Sequence, residues 1–307
     1  MRAMRAYLLA AVLFASHGAA FAGFPVTERM TCPIGGERFE FVTTASYSTF
    51  GARPDGKPYG SWTFPLALPE CPGNGLIVYK AFDREELRRL EAIIATDSYR
   101  ALRSGNDVQY YRLARLLREM GAPPAEHLGA LIQAGWEAEL GTPLRARYLG
   151  EFAEAMAALP AEPADLSGFA MRGRWINALR ELGRFDEAAA LLARTRLEPL
   201  RAAAGEARNL QGWLDYYAMM RTLIERRDSS AEPLDFLSRE EAAARCVREA
   251  ASLDERQRAY CGSEAMRPAV ARAREQPGNV QQALEALERA AEDMERAARE
   301  QPERPNP

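Results

Sequence analysis

Four cysteines, two histidines and a scatter of carboxylates are the groups with which this 307-residue chain could do chemistry. Cys32 and Cys71 each open a Cys-Pro turn, while Cys246 and Cys261 lie in a charged stretch towards the other end. Imidazole chemistry is nearly closed off. His17 falls in an apolar leader, and His127 stands beside Leu128, Leu131 and Ile132 in a helical stretch. A Ser-His-Asp triad, a Cys-His pair or a multi-histidine metal site needs an activated nucleophile or further ligands around the ring, and none accompanies His127. Glu37, Glu40, Asp55 and Glu70 supply carboxylates, but nothing orders two of them at a spacing suited to general acid–base work. No nucleophile elbow, phosphate loop or metal motif occurs. The chain therefore reads as one without catalytic residues, metal or cofactor, whose work is binding or scaffolding. A cell-envelope enzyme with no recognisable motif and a structural assembly protein are the alternatives.

Charge narrows the partners. Forty basic residues face 43 acidic ones, and the two signs alternate along the helical stretches. That is a solvated, ion-paired surface rather than a phosphate-binding stripe, so nucleic acid is excluded as a partner. The N-terminus argues for export. Arg2 and Arg5 precede an apolar run over residues 6–15, and Ala20-Phe21-Ala22 carries the small-x-small pattern that a signal peptidase reads. The run is too short for a membrane-spanning helix, which takes about 20 residues. Cleavage after Ala22 would release a periplasmic or secreted protein with no membrane insertion, whose expected partner is a protein or peptide of the cell envelope.

The elements that must position these groups change character once. Residues 23–82 are rich in Gly, Pro and aromatics. Strand-like runs appear at 39–42, around Trp62 and Phe64, and at 76–79, with Asp55-Gly56 as a turn signal. At Asp83 a capping box with Glu86 opens a helix expected over 84–96. From there the helical period dominates. Leu113, Leu116, Leu117 and Met120 recur at that spacing before Gly121, and Phe185, Ala188, Ala189 and Leu192 repeat it after Gly183. Further helices are expected over 142–159 and 211–227. The layout is a leader at 1–22, a strand-rich module at 23–82, a helical domain at 83–270, a C-terminal helix at 271–300 and a polar tail at 301–307. Val280, Leu284, Leu287, Ala291 and Met294 form a narrow seam that would cap the helical stack or self-associate through 279–296. The fold class is α+β, predominantly α, with antiparallel helix pairs stacked as a solenoid.

Residues 178–199, ALRELGRFDEAAALLARTRLEP, resemble one tetratricopeptide repeat, with Gly183 as its turn, Phe185 as its packing aromatic and Ala188 as the small contact residue. The resemblance implies a concave face on which Asn177 and Arg180 point towards a ligand, and, one repeat earlier, Tyr111, Arg115 and Arg118. Asn and Arg at such positions suit peptide backbone and carboxylates. Cys32-Pro33-Ile34-Gly35-Gly36 and Cys71-Pro72-Gly73-Asn74-Gly75 resemble two CPxCG zinc-ribbon knuckles whose second cysteines are replaced by Gly35 and Asn74. Paired knuckles followed by tetratricopeptide-like helices are similar to an uncharacterised bacterial family that carries a domain of unknown function. Two cysteines cannot supply the four ligands of a structural zinc. The ribbon geometry implied by the resemblance brings Cys32 and Cys71 together, and in an oxidising compartment a disulfide replaces the metal, worth about 4 kcal/mol in the chain-entropy account. For Cys246 and Cys261 two geometries are open. Capping boxes at Ser238/Glu241 and Ser252/Glu255 allow a reversal near 252–254 that sets the cysteines face to face. One continuous helix would hold them about 22 Å apart. Pairing in an exported chain favours the reversal.

Overall fold

The computed structural model describes residues 23–159, 162–203 and 207–275. The expected leader at 1–22, the seam at 279–296 and the tail at 301–307 lie outside them. The chain divides into two compact units, Met1–Ala231 and Glu232–Pro307, and the whole is α+β, predominantly α.

The first unit opens with two separate antiparallel hairpins. Strands β1 (Pro25–Thr31) and β2 (Arg38–Thr44) pair from Pro25↔Thr44 to Thr31↔Arg38, and β3 (Thr49–Ala52) pairs with β4 (Pro58–Gly60). The expected strand at 39–42 lies inside β2. The runs around Trp62 and Phe64 and at 76–79 do not form strands; only Ile77 makes an isolated bridge, with Glu70. Helix side chains take the backbone groups of the intervening segment instead. Gln109 both donates to and accepts from Leu68, and Tyr110 donates to the Leu66 carbonyl. A segment so satisfied has no need of a ladder partner.

Helices α1 (Arg84–Ile94), α2 (Asp97–Ser104), α3 (Gln109–Glu119), α4 (Pro124–Glu137), α5 (Pro143–Ala157), α6 (Leu166–Glu181), α7 (Phe185–Arg194), α8 (Glu198–Ala203) and α9 (Ala207–Glu225) follow. The Asp83/Glu86 capping box at the head of α1 is present. Helices α3 to α7 each pack on the next, and α9 closes on α6 and α7. At the α6–α7 turn Gly183 has φ +73°, a conformation that other residues adopt only at a cost. Ala188 is fully buried where the two helices meet. The core does not stop at the front module: Cys32, Cys71, Leu76 and Ile77 belong to the same apolar cluster as Leu90, Leu116, Leu131 and Phe152. A second cluster, around Phe169, Ile176, Leu191, Tyr217 and Leu223, joins α6, α7 and α9.

The second unit holds a 3-10 turn at Leu234–Phe236 and helices α10 (Arg239–Arg248), α11 (Glu255–Gly262) and α12 (Arg267–Glu275). The Ser238/Glu241 box opens α10. The next cap differs from expectation: Asp254, not Ser252, caps α11, in a box with Gln257. The Ser252 hydroxyl is spent on the Glu249 carbonyl at the end of α10, and a carboxylate at a helix N-terminus is the better acceptor. The chain reverses between the two helices, so the continuous helix is not formed. Cys246 and Cys261 are disulfide-bonded with their Cα atoms 5.7 Å apart.

Candidate functional site

The two Cys-Pro turns have the same backbone shape. In each, the cysteine amide donates to a carbonyl five residues on (Cys32 to Glu37, Cys71 to Leu76), and the amide four residues on returns to the cysteine carbonyl (Gly36 to Cys32, Gly75 to Cys71). The Cys32–Cys71 disulfide joins them with Cα atoms 5.6 Å apart. Asn74 Nδ2 donates to the Ile34 carbonyl at 2.9 Å, and the Gly73 amide donates to Glu37 Oε2 at 2.7 Å. A Cβ built on Gly35 would stand 3.8 Å from Asn74 Nδ2, so the two positions without cysteine face one another. They contribute an amide and a hydrogen where thiolates would be needed for metal.

Against these turns lies an open cleft of 620 Å³. Ile34, Ile94, Ala95 and Tyr99 contribute its apolar surface, and Asn74, Glu91, Arg100 and Arg103 its polar one. Helix α2 fixes the wall: Tyr99 donates to the Gly75 carbonyl at 2.9 Å, and Arg103 donates to the Pro72 and Gly73 carbonyls at 2.5 and 3.1 Å. Burial raises the Tyr99 phenol well above its ordinary value, so it stays a neutral donor. The cleft thus offers an apolar floor beside one carboxylate and two guanidinium groups, that of Arg103 held by the turn carbonyls and that of Arg100 paired with Asp97.

A second site is already filled. The tip of the β3–β4 hairpin, residues 53–57, is a turn in which the Gly56 amide donates to the Arg53 carbonyl. It inserts among α4, α5, α6 and α9. Tyr216 donates to the Pro54 carbonyl at 2.9 Å, Arg174 to the same oxygen at 3.3 Å, and Trp136 Nε1 to the Asp55 carbonyl at 3.2 Å. The Asp55 carboxylate is buried and pairs with its neighbour Arg53 and, at 2.9 Å, with Arg145. Lys57 Nζ donates to the Trp136 carbonyl at 2.7 Å. Burial alone would raise the Asp55 pKa, but Arg53 and Arg145 outweigh it and hold the group below its ordinary value. Behind Asp55 the charges continue inward: Arg145 to Glu181 at 2.7 Å, Glu181 to Asn177, and Asn177 to Arg180.

The residues expected to line a peptide-binding face therefore part company. Asn177 and Arg180 are buried, Arg180 to 0 % exposure, and Arg180 donates to the carbonyls of Asp228 and Ser230 at 2.5 and 2.8 Å. The reason is that α6 is covered by α5, α7 and α9 together, which leaves these two side chains no open face. Tyr111 is also buried, stacked on Tyr148 with ring centroids 4.5 Å apart, and donates to Glu151 at 2.7 Å. Burial first, and then that bond, push its phenol up to about 12. Arg147 lies over both rings. Arg118 is exposed, and Arg115 is half-buried, its Nε without a hydrogen-bond partner among the described residues. His127 is half-buried on α4, its pKa lowered by burial and by Arg118. In the sequence Asp55 stands out as a carboxylate and, with Gly56, as a turn, whereas nothing marks Arg145, Glu181 or Tyr216. Each looks like an ordinary helical residue until the fold joins partners up to 162 positions apart. No protein-family model, curated protein or solved structure matches the chain.

Proposed function

We propose that the protein is an exported binding or scaffolding module of the cell envelope, which engages a protein or peptide partner through the cleft beside its disulfide-joined turns. The observation that carries this reading is the composition of that cleft: Ile34, Ile94 and Tyr99 form an apolar surface with Glu91, Arg100 and Arg103 around it. An apolar pocket with a few fixed polar groups is how side chains of a partner are selected, the apolar part giving affinity and the charges orientation. Both disulfides suit an oxidising compartment.

A photo-activatable residue at position 100 tests the reading in cells of the native host. The expected result is one discrete adduct, lost when Ile34→Glu places a charge in the cleft while the protein's melting temperature is unchanged. Absence of any adduct, or an adduct indifferent to Ile34→Glu, overturns it.

A further inference from the structure

Among the described residues the β3–β4 hairpin pairs with no other strand, and an isolated two-stranded hairpin is marginal in water. Its tip is held by the helices instead, in the manner of a bound peptide. Pro54 and Asp55 are gripped through their main-chain carbonyls, which any residue could offer. The helices also hold charged side chains of the tip: the Asp55 carboxylate through Arg145 and the Lys57 ammonium through the Trp136 carbonyl. Gly56 is also selected: its φ is +87°, and a Cβ there would collide with the Arg174 guanidinium.

Two of the gripping groups have partners outside the tip. Arg145 is anchored by Glu181 and by the Gly135 carbonyl, Glu181 by Asn177, and the single Tyr216 hydroxyl proton is shared between the Pro54 carbonyl and the Gly173 carbonyl, the latter at 3.1 Å. Groups already held in their bound positions lose little freedom on binding, which is the hallmark of a preorganised receptor. We propose that the groove between α4, α5, α6 and α9 is a receptor for an aspartate-glycine turn. The chain's own residues 53–57 occupy it in cis, and a partner turn of the same chemistry gains the groove only by displacing them. This site is separate from the open cleft and does not depend on that reading.

The hairpin is removable. Thr49 and Gly60 are cross-strand partners, and Ser61 N donates to the Ser48 carbonyl at 3.0 Å, so a two-residue Asn-Gly turn can replace residues 50–59 in the full chain. Isothermal titration with a synthetic peptide of residues 49–60 is expected to show saturable binding to this variant and none to the intact chain, whose groove is filled. The same peptide with Asp55→Asn should bind about tenfold more weakly or worse, since it loses a charge-assisted bond. If the variant is folded and binds neither peptide, binds both equally, or binds no better than the intact chain, the proposal fails. If the variant is unfolded at the working temperature, thermal unfolding read against peptide concentration decides: a midpoint that climbs with the 49–60 peptide and not with the Asp55→Asn peptide supports the receptor. A midpoint unmoved by either peptide overturns it.

Discussion

At Asp55 a buried carboxylate joins the front of the chain to its helices, so its removal takes an ion-pair partner from both Arg53 and Arg145, Arg145 keeping Glu181. Breaking a buried pair from one side costs about 3–5 kcal/mol. Asp55→Ala is expected to lower the free energy of urea unfolding by that amount, and a loss under 1 kcal/mol would mean the pair is idle. The same group carries an acid signature. Its folded pKa lies below its ordinary value, so the stability it confers is complete above the unfolded value, about pH 3.9, and drains as pH falls through the folded one. Between neutrality and about pH 4 Asp55→Asn should therefore differ from the parent by a constant gap in unfolding free energy, and that gap should narrow only at lower pH. Little of this was legible beforehand. Asp55-Gly56 was readable as a turn, because a turn is a local property. That its carboxylate meets Arg145, 90 positions on, is a long-range fact. Asn177 and Arg180 failed for a related reason: a polar residue on a helix looks solvated until a third helix covers it.

Elements were more legible, because caps and periods are written locally. The boxes at Asp83 and Ser238 and the turn at Gly183 all occur where the residues place them. Gly183→Ala forces a side chain into left-handed backbone and should cost about 1 kcal/mol, read as a shifted denaturation midpoint with an unchanged slope. At the second box Asp254 rather than Ser252 caps α11, the Ser252 hydroxyl being bonded to the Glu249 carbonyl at the end of the preceding helix. The disulfide between α10 and α11 ties elements whose shared core is small, chiefly Leu234, Ala242, Ala243, Leu253, Met266 and Val270. Paired Cys246→Ser and Cys261→Ser substitutions open a 15-residue loop and should destabilise the second unit by about 3 kcal/mol in the chain-entropy account. Hydrogen exchange confined to residues 232–275 would report it. If exchange there is unaltered, the bond is redundant with the packing.

On the scale of the whole molecule, composition and helical period carried the fold class, while the union of front module and helices in one apolar core did not show in either. Export is checked by intact mass: the mature protein should begin at Gly23 and contain both disulfides, and a chain that retains Met1 in a reducing compartment would contradict it. The docked hairpin tip also bears on how the chain comes to be folded. A ribosome makes the tip long before its holders, with Trp136 following Asp55 by 81 residues and Tyr216 following Pro54 by 162. Contacts so far apart along the chain close late and slowly. The tip thus waits, incompletely held, for some of the last-made helices of the first unit, and through that interval residues 53–57 are open to any chaperone or protease that reaches the nascent chain.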